Sequence, residues 1–111
     1  MITYHGLSDP IITSEGSRVY YEAVQKKMPS VKVQEFYRLF FAPGLGHCYG
    51  GAGPYPGSTF AALKDWVENG IEPETLEATR KTDKGEIRKR PLCPYPKKQY
   101  YDSEKGNFYC R

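Results

Sequence analysis

Two rhythms of apolar residues alternate along this chain. ITYHG (Ile2–Gly6) is a short run of β-formers stopped by a glycine, which predicts a strand. LSDPII follows as a loop, because Asp9-Pro10 starts turns and proline drives the residue before it out of the helical region. Thr13 or Ser14 then caps a helix running to about Met28, with Val19, Tyr20, Ala23, Val24 and Lys27 at helical spacing. Pro29 ends it. VQEFYRLFFAPG predicts a second strand centred on Phe36–Ala42, whose nearly continuous apolar character suits burial on both faces, as in a parallel sheet.

After the loop GLGHCYGGAGPYPG, Ser58 is placed to cap a helix, STFAALKDWVEN. Phe60, Leu63, Trp66 and Val67 form its apolar stripe, and Gly70 stands at its C-terminal cap position. LEATRKT and EIRKR flank Asp83-Lys84-Gly85 and predict a hairpin. From Pro91 onward a proline- and tyrosine-rich tail reads as loop. The chain holds no internal repeat and no low-complexity tract.

The predicted order is strand, helix, strand, helix, hairpin, tail. A crossover helix between two strands makes them parallel. Two parallel strands with both faces apolar need neighbours at their edges, so the expected sheet is incomplete. The fold class expected is α/β: the last third of such a fold, with residues 1–90 forming sheet, helices and hairpin, and 91–111 a tied tail.

Composition narrows the function classes. The formal charge is +3 over 111 residues. Basic residues cluster between Arg80 and Arg90, but acids interrupt them and no aromatic platform is interleaved, so a solvated hairpin face is expected and no nucleic-acid partner. No stretch approaches the ~18 apolar residues of a membrane helix, and no membrane partner is expected. MITYHGLSDP lacks the charged and apolar regions of a signal peptide and reads like the interior of a fold.

The cysteines are Cys48, Cys93 and Cys110. Cys93 and Cys110 enclose a short segment with little core of its own, where a disulfide can stabilise by ~3 kcal/mol. Cys48 is then without an internal partner. A zinc site from His47, Cys48, Cys93 and Cys110 is the rival, though adjacent ligands fit poorly with the spaced pairs of structural zinc.

Active groups in open α/β sheets gather at the carboxyl ends of strands. Asp9 lies in the loop after the first predicted strand and His47 in the loop after the second. They match the second and third members of a Ser…Asp…His order. Asp9 would accept a hydrogen bond from one ring nitrogen, fixing the tautomer, while the other nitrogen takes a serine proton. A reference pKa of about 6.5 leaves an imidazole mostly neutral at pH 7. The competing readings are a turn aspartate before a proline and an exposed loop histidine. His5 is expected to pack or bond locally, since nothing in the pattern places an acid opposite it.

Across nearly its whole length the chain resembles the C-terminal part of the tannase and feruloyl esterase family of secreted α/β-hydrolases. The matching stretches are YHGLSDPII, FYRLFFAPGLGHCYGGAGP, FAALKDWVENGIEPETLEAT, RPLCPYPKKQYY and NFYC. The resemblance implies a serine-type carboxylic ester hydrolase acting on feruloyl or galloyl esters, with Asp9 the triad acid and His47 the base. It implies that Cys48 is half of a disulfide to the cysteine beside the nucleophilic serine, outside these residues, and that Cys93 and Cys110 form a local pair. A disulfide holds its Cα atoms within about 4.4–6.8 Å, which would limit how far the histidine drifts.

The departures are equally specific. The family's Cys-Ser-x-Gly-Gly element is absent, as is any G-x-S-x-G elbow, and Ser8, Ser14, Ser17, Ser30, Ser58 and Ser103 have poorer contexts. The family's lid, with its calcium site, has no counterpart, so no cofactor or metal is expected on these residues. These residues alone are expected to be inactive toward esters. The alternatives are a non-catalytic truncated gene product and a small secreted module binding phenolics or carbohydrate, with Tyr49 and Tyr55 stacking on a ring. Secretion follows from the resemblance and the disulfides.

Overall fold

The computed structural model describes residues 1–111. Strand β1 (Ile2–Gly6) and strand β2 (Arg38–Ala42) pair in parallel, with Ile2 opposite Arg38 and Gly6 opposite Ala42. Helix α1 (Ser14–Lys27) makes the crossover between them. Thr13 is its cap, its hydroxyl accepting from the Glu15 amide at 3.3 Å. Glu15 in the first turn and Lys26 and Lys27 in the last complement the helix dipole.

The buried face of α1 differs from the sequence expectation. Val19 and Tyr20 are exposed, and Tyr21 is the fully buried residue. Three consecutive apolar positions leave the helical phase open, and packing on β2 selects Tyr21 with Val24. The Tyr21 hydroxyl donates to the Tyr37 carbonyl at 3.1 Å, so its polar end is satisfied inside the core.

Strand β2 is shorter than expected. Val33–Glu35 forms a single 3₁₀ turn, and the amides of Phe36 and Tyr37 are spent on the Val33 carbonyl, so ladder pairing starts at Arg38. Both faces of β2 are packed, as expected. Leu39 joins Tyr21, Val33 and Tyr37 on one side, while Phe40 and Ala42 join Leu45, Leu76, Ala78 and Leu92 on the other.

Helix α2 spans Thr59–Asn69 and ends at Gly70, whose left-handed backbone (φ 68°) lets the Ile71 amide reach the Asp65 carbonyl. Ser58 does not cap it with its side chain: its hydroxyl donates to the Glu77 carbonyl instead. The expected stripe is half realised. Leu63 and Trp66 are half-buried, with the Arg38 guanidinium over the Trp66 ring, while Phe60 and Val67 are exposed.

Strands β3 (Leu76–Lys81) and β4 (Ile87–Leu92) form the expected antiparallel hairpin, turning at Gly85 with φ 84°. Lys81, Arg88, Lys89 and Arg90 are exposed on it. The tail is not simply loop. Strands β5 (Gln99–Asp102) and β6 (Asn107–Cys110) make a second hairpin, because Asp102 accepts the amides of Glu104 and Lys105 and Gly106 adopts a positive φ. A Cys93–Cys110 disulfide ties it back, and the Tyr95 amide donates to the Leu39 carbonyl, occupying part of the outer edge of β2. No helix is long and apolar enough to cross a membrane.

Candidate active site

Parallel pairing puts the carboxyl ends of β1 and β2 side by side, and the loops leaving them touch at once. The Leu7 amide donates to the Ala42 carbonyl and the Ser8 amide to the Leu45 carbonyl, both at 3.0 Å. Gly6 permits this approach: a Cβ there would lie 2.3 Å from the carbonyl oxygens of Leu45 and Gly46. The second loop folds back on itself, with the Gly46 amide donating to the Gly50 carbonyl and the Gly53 amide to the Gly44 carbonyl. His47 and Cys48 sit at the tip of this knuckle.

The structure brings Asp9 and His47 together. His47 Nδ1 lies 2.8 Å from Asp9 Oδ2. A carboxylate only accepts, so Nδ1 carries the proton and Nε2 is left with its lone pair, on a side chain that is 39% exposed. The Asp9 side chain is 4% exposed. Its Oδ1 accepts the backbone amides of Ile11 at 2.8 Å and Ile12 at 3.0 Å, so Asp9 is a turn residue that also faces the imidazole.

Burial alone would raise the Asp9 pKa. The amides of Ile12 and Ile11, then the hydrogen bond and charge of His47, outweigh it and hold the carboxyl well below the usual aspartate range. Asp9 is therefore an ionised partner for the imidazole throughout the neutral range.

His5 corrects the sequence expectation. It does bond locally, with Nδ1 2.7 Å from Ser17 Oγ and Nε2 3.1 Å from the Ile12 carbonyl. An acid also stands opposite it: Asp9 Oδ2 is 3.3 Å from Nε2. The missed signal was a four-residue spacing across a strand end, where the turn at Gly6–Asp9 folds the two side chains back together.

Around the pair runs a cleft of about 140 Å³ lined by Tyr4, His5, Gly6, Asp9, Ile12, His47 and Cys48. Tyr4, Tyr55 and Tyr49 continue its wall as successive edge-to-face pairs, with Tyr49 the most exposed. Burial, followed by the hydrogen bond and charge of Tyr55, pushes the Tyr4 phenol up to about 12. Cys48 has an exposed thiol and a left-handed backbone (φ 58°). Cys93 and Cys110 are joined to each other, which removes both from any thiolate ligand set with His47.

The family described as tannase and feruloyl esterase matches residues 1–110. A probable feruloyl esterase B-1 of Aspergillus flavus is 35% identical over 127 residues, covering 97% of this chain and 24% of the relative. A probable feruloyl esterase B-1 of Aspergillus fumigatus is 39% identical over 119 residues, covering 91% and 22%. Among solved structures, the tannin acyl hydrolase from Aspergillus niger superposes with a TM-score of 0.88 at 33% identity, over 99% of this chain and 22% of that one. Feruloyl esterase B from Aspergillus oryzae gives 0.80 at 31% identity, over 99% and 26%. The chain thus spans about a quarter of the length of the relatives it matches.

Proposed function

The chain belongs to the tannase and feruloyl esterase family, and from that premise we propose that it supplies the acid and base of a serine carboxylic ester hydrolase. Asp9 is the acid, His47 the base, and the nucleophilic serine lies outside these residues. The observation that carries this reading is the 2.8 Å contact from His47 Nδ1 to Asp9 Oδ2, on a half-exposed side chain that lines the cleft. None of the chain's own serine hydroxyls is hydrogen-bonded to His47. Ser17 is engaged by His5 and Ser58 by Glu77.

In acylation, His47 Nε2 takes the serine proton as the oxygen attacks the ester carbonyl, and Asp9 stabilises the imidazolium that forms. The proton then goes to the leaving alcohol. In deacylation, Nε2 takes a proton from water and returns it to the serine. The substrate class proposed is a phenolic ester of feruloyl or galloyl type, whose ring would meet the exposed face of Tyr49 and the edge of Tyr55.

Cys48 is assigned a disulfide to a cysteine of the remainder of the enzyme, and the product is assigned to the extracellular space. The Cys93–Cys110 bridge supports an oxidising compartment.

The test is a chimera: this chain in place of the matching segment of Aspergillus oryzae feruloyl esterase B, assayed on methyl ferulate. Turnover by the wild-type chimera and its loss in His47→Ala and Asp9→Asn, with substrate binding retained, are expected. A folded chimera that is inactive, or a His47→Ala chimera that still turns over, overturns the reading.

A further inference from the structure

The carboxylate of Asp9 has about four acceptor directions, and the fold fills three of them with hydrogen bonds. Oδ1 takes the amides of Ile11 and Ile12, and Oδ2 takes His47. On the remaining side stands His5, whose Nε2 lies 3.3 Å from Oδ2 as an ion-pair contact while its hydrogen bond goes to the Ile12 carbonyl. Both groups facing His5 Nε2, Asp9 Oδ2 and the Ile12 carbonyl, only accept, so Nε2 carries the proton. In the neutral ring Nδ1 is then an acceptor, and the hydroxyl facing it at 2.7 Å, Ser17, is the donor.

Resting on the esterase reading above, we infer that His5 is a positioning residue for the acid of the pair: its Nε2–H holds the Ile12 carbonyl, its ring closes on Asp9 Oδ2 at 3.3 Å, and Ser17 steadies the ring from Nδ1. The three supports come from three elements. His5 is in β1, paired with Phe41 of β2; Ile12 is in the loop; and Ser17 is in the early part of α1, one turn from buried Tyr21. Ile12 acts twice, its amide on Asp9 Oδ1 and its carbonyl on His5 Nε2, which closes a ring of contacts around the carboxylate.

The burial gradient runs the right way for a support. The His5 side chain is 13% exposed behind an Asp9 that is 4% exposed, and the working imidazole in front is 39% exposed. The amides of Ile11 and Ile12 fix Oδ1, and Oδ2 is otherwise met only by His47, on the exposed side. Held from behind as well, it keeps the plane that His47 must meet when it becomes an imidazolium.

Two measurements test this. In the 111-residue chain itself, imidazole ¹⁵N shifts should give His5 the Nε2–H tautomer and His47 the Nδ1–H tautomer. His5→Leu should broaden or lose the His47 Nδ1–H proton signal, and His5→Gln, which keeps a donor, should retain it. In the chimera, His5→Leu should lower kcat on methyl ferulate roughly 10- to 100-fold with KM little changed. His5→Gln should restore most of the loss. Ser17→Ala, which removes the hydroxyl at Nδ1 without touching Asp9, should give a smaller loss in kcat and keeps the inference testable if His5→Leu misfolds.

An Nδ1–H tautomer at His5 in the wild-type chain overturns the inference. So does an unchanged kcat in both His5→Leu and Ser17→Ala beside an inactive His47→Ala. A His47→Ala chimera that turns over sinks the esterase reading instead, and the ¹⁵N measurement still decides the hydrogen-bond chain independently.

Discussion

Gly6 and Gly46 face each other with no room for a side chain between them: a Cβ on Gly6 would lie 2.3 Å from the Gly46 carbonyl oxygen. Gly46 immediately precedes His47, and Gly6 begins the turn that delivers Asp9. The contact between two glycines therefore sets the distance between an acid and a base that are 38 residues apart. Gly6→Ala must push backbone against backbone, which no rotamer change relieves. We expect it to destabilise the chain by about 1–3 kcal/mol, read by urea unfolding, and to weaken the Asp9–His47 contact. Unchanged stability would mean that the histidine loop yields freely.

Asp9 makes a pH prediction of definite sign. Its pKa is lowered in the folded chain from an ordinary value of 3.8. Its contribution to stability is therefore complete above that value and is lost as pH falls below it toward the folded pKa. Carboxyl ¹³C shifts should find Asp9 still ionised at pH 3.8, where unperturbed aspartates are half protonated. Asp9→Asn should flatten the fall in stability below this pH. An Asp9 titrating with the exposed carboxylates would contradict the hydrogen-bond set.

What the sequence made legible were the segments bounded by hard punctuation. β1 stops at Gly6, α1 at Lys27 ahead of Pro29, α2 at Asn69 ahead of Gly70, and the β3–β4 turn falls on Asp83-Lys84-Gly85. Asp9 and His47 could be read because each follows a strand, and the parallel register then does the rest. The misses are tertiary. Val19, Tyr20 and Tyr21 are three consecutive positions with apolar surface to bury, and packing on β2 chooses among them. Ser58 has cap chemistry, yet the neighbouring β3 offers its hydroxyl the Glu77 carbonyl. The β5–β6 hairpin hides behind a proline-dense start, although Asp102 and Gly106 carry its turn. His5 is invisible as a partner of Asp9 until the turn is folded.

Tyr21 should be the most sensitive position on α1. Its ring meets Tyr37 at 4.9 Å and Tyr95 at 6.0 Å, both edge to face, and its hydroxyl is bonded inside the core. Tyr21→Phe leaves the Tyr37 carbonyl without this donor and should cost about 1 kcal/mol. Tyr21→Ala also opens a cavity and should cost about 3–5 kcal/mol. Tyr20→Ala, on the exposed side, should fall within about 0.5 kcal/mol of the wild type. Denaturant unfolding of the three variants checks the helical phase directly. Equal losses at the two positions would contradict it.

Cys48 separates a local effect from a long-range one. A non-glycine residue at φ 58° is strained, by about 1–2 kcal/mol. Cys48→Gly removes that strain but adds freedom to the unfolded chain worth about 0.5–1 kcal/mol. In the 111-residue chain the melting temperature should hold or rise slightly. In the chimera the same change deletes the proposed tie to the remainder of the enzyme, so His47 loses its anchor and kcat should fall with the melting temperature. The melting temperature holds or rises in one setting and falls in the other, which loop strain alone cannot produce. Intact mass gives the covalent side of the argument: blocking free thiols in the chimera before reduction should leave Cys48 unlabelled. A Cys48 that labels without reduction, with Cys48→Gly as active as the wild type, would leave the thiol no part in holding the histidine.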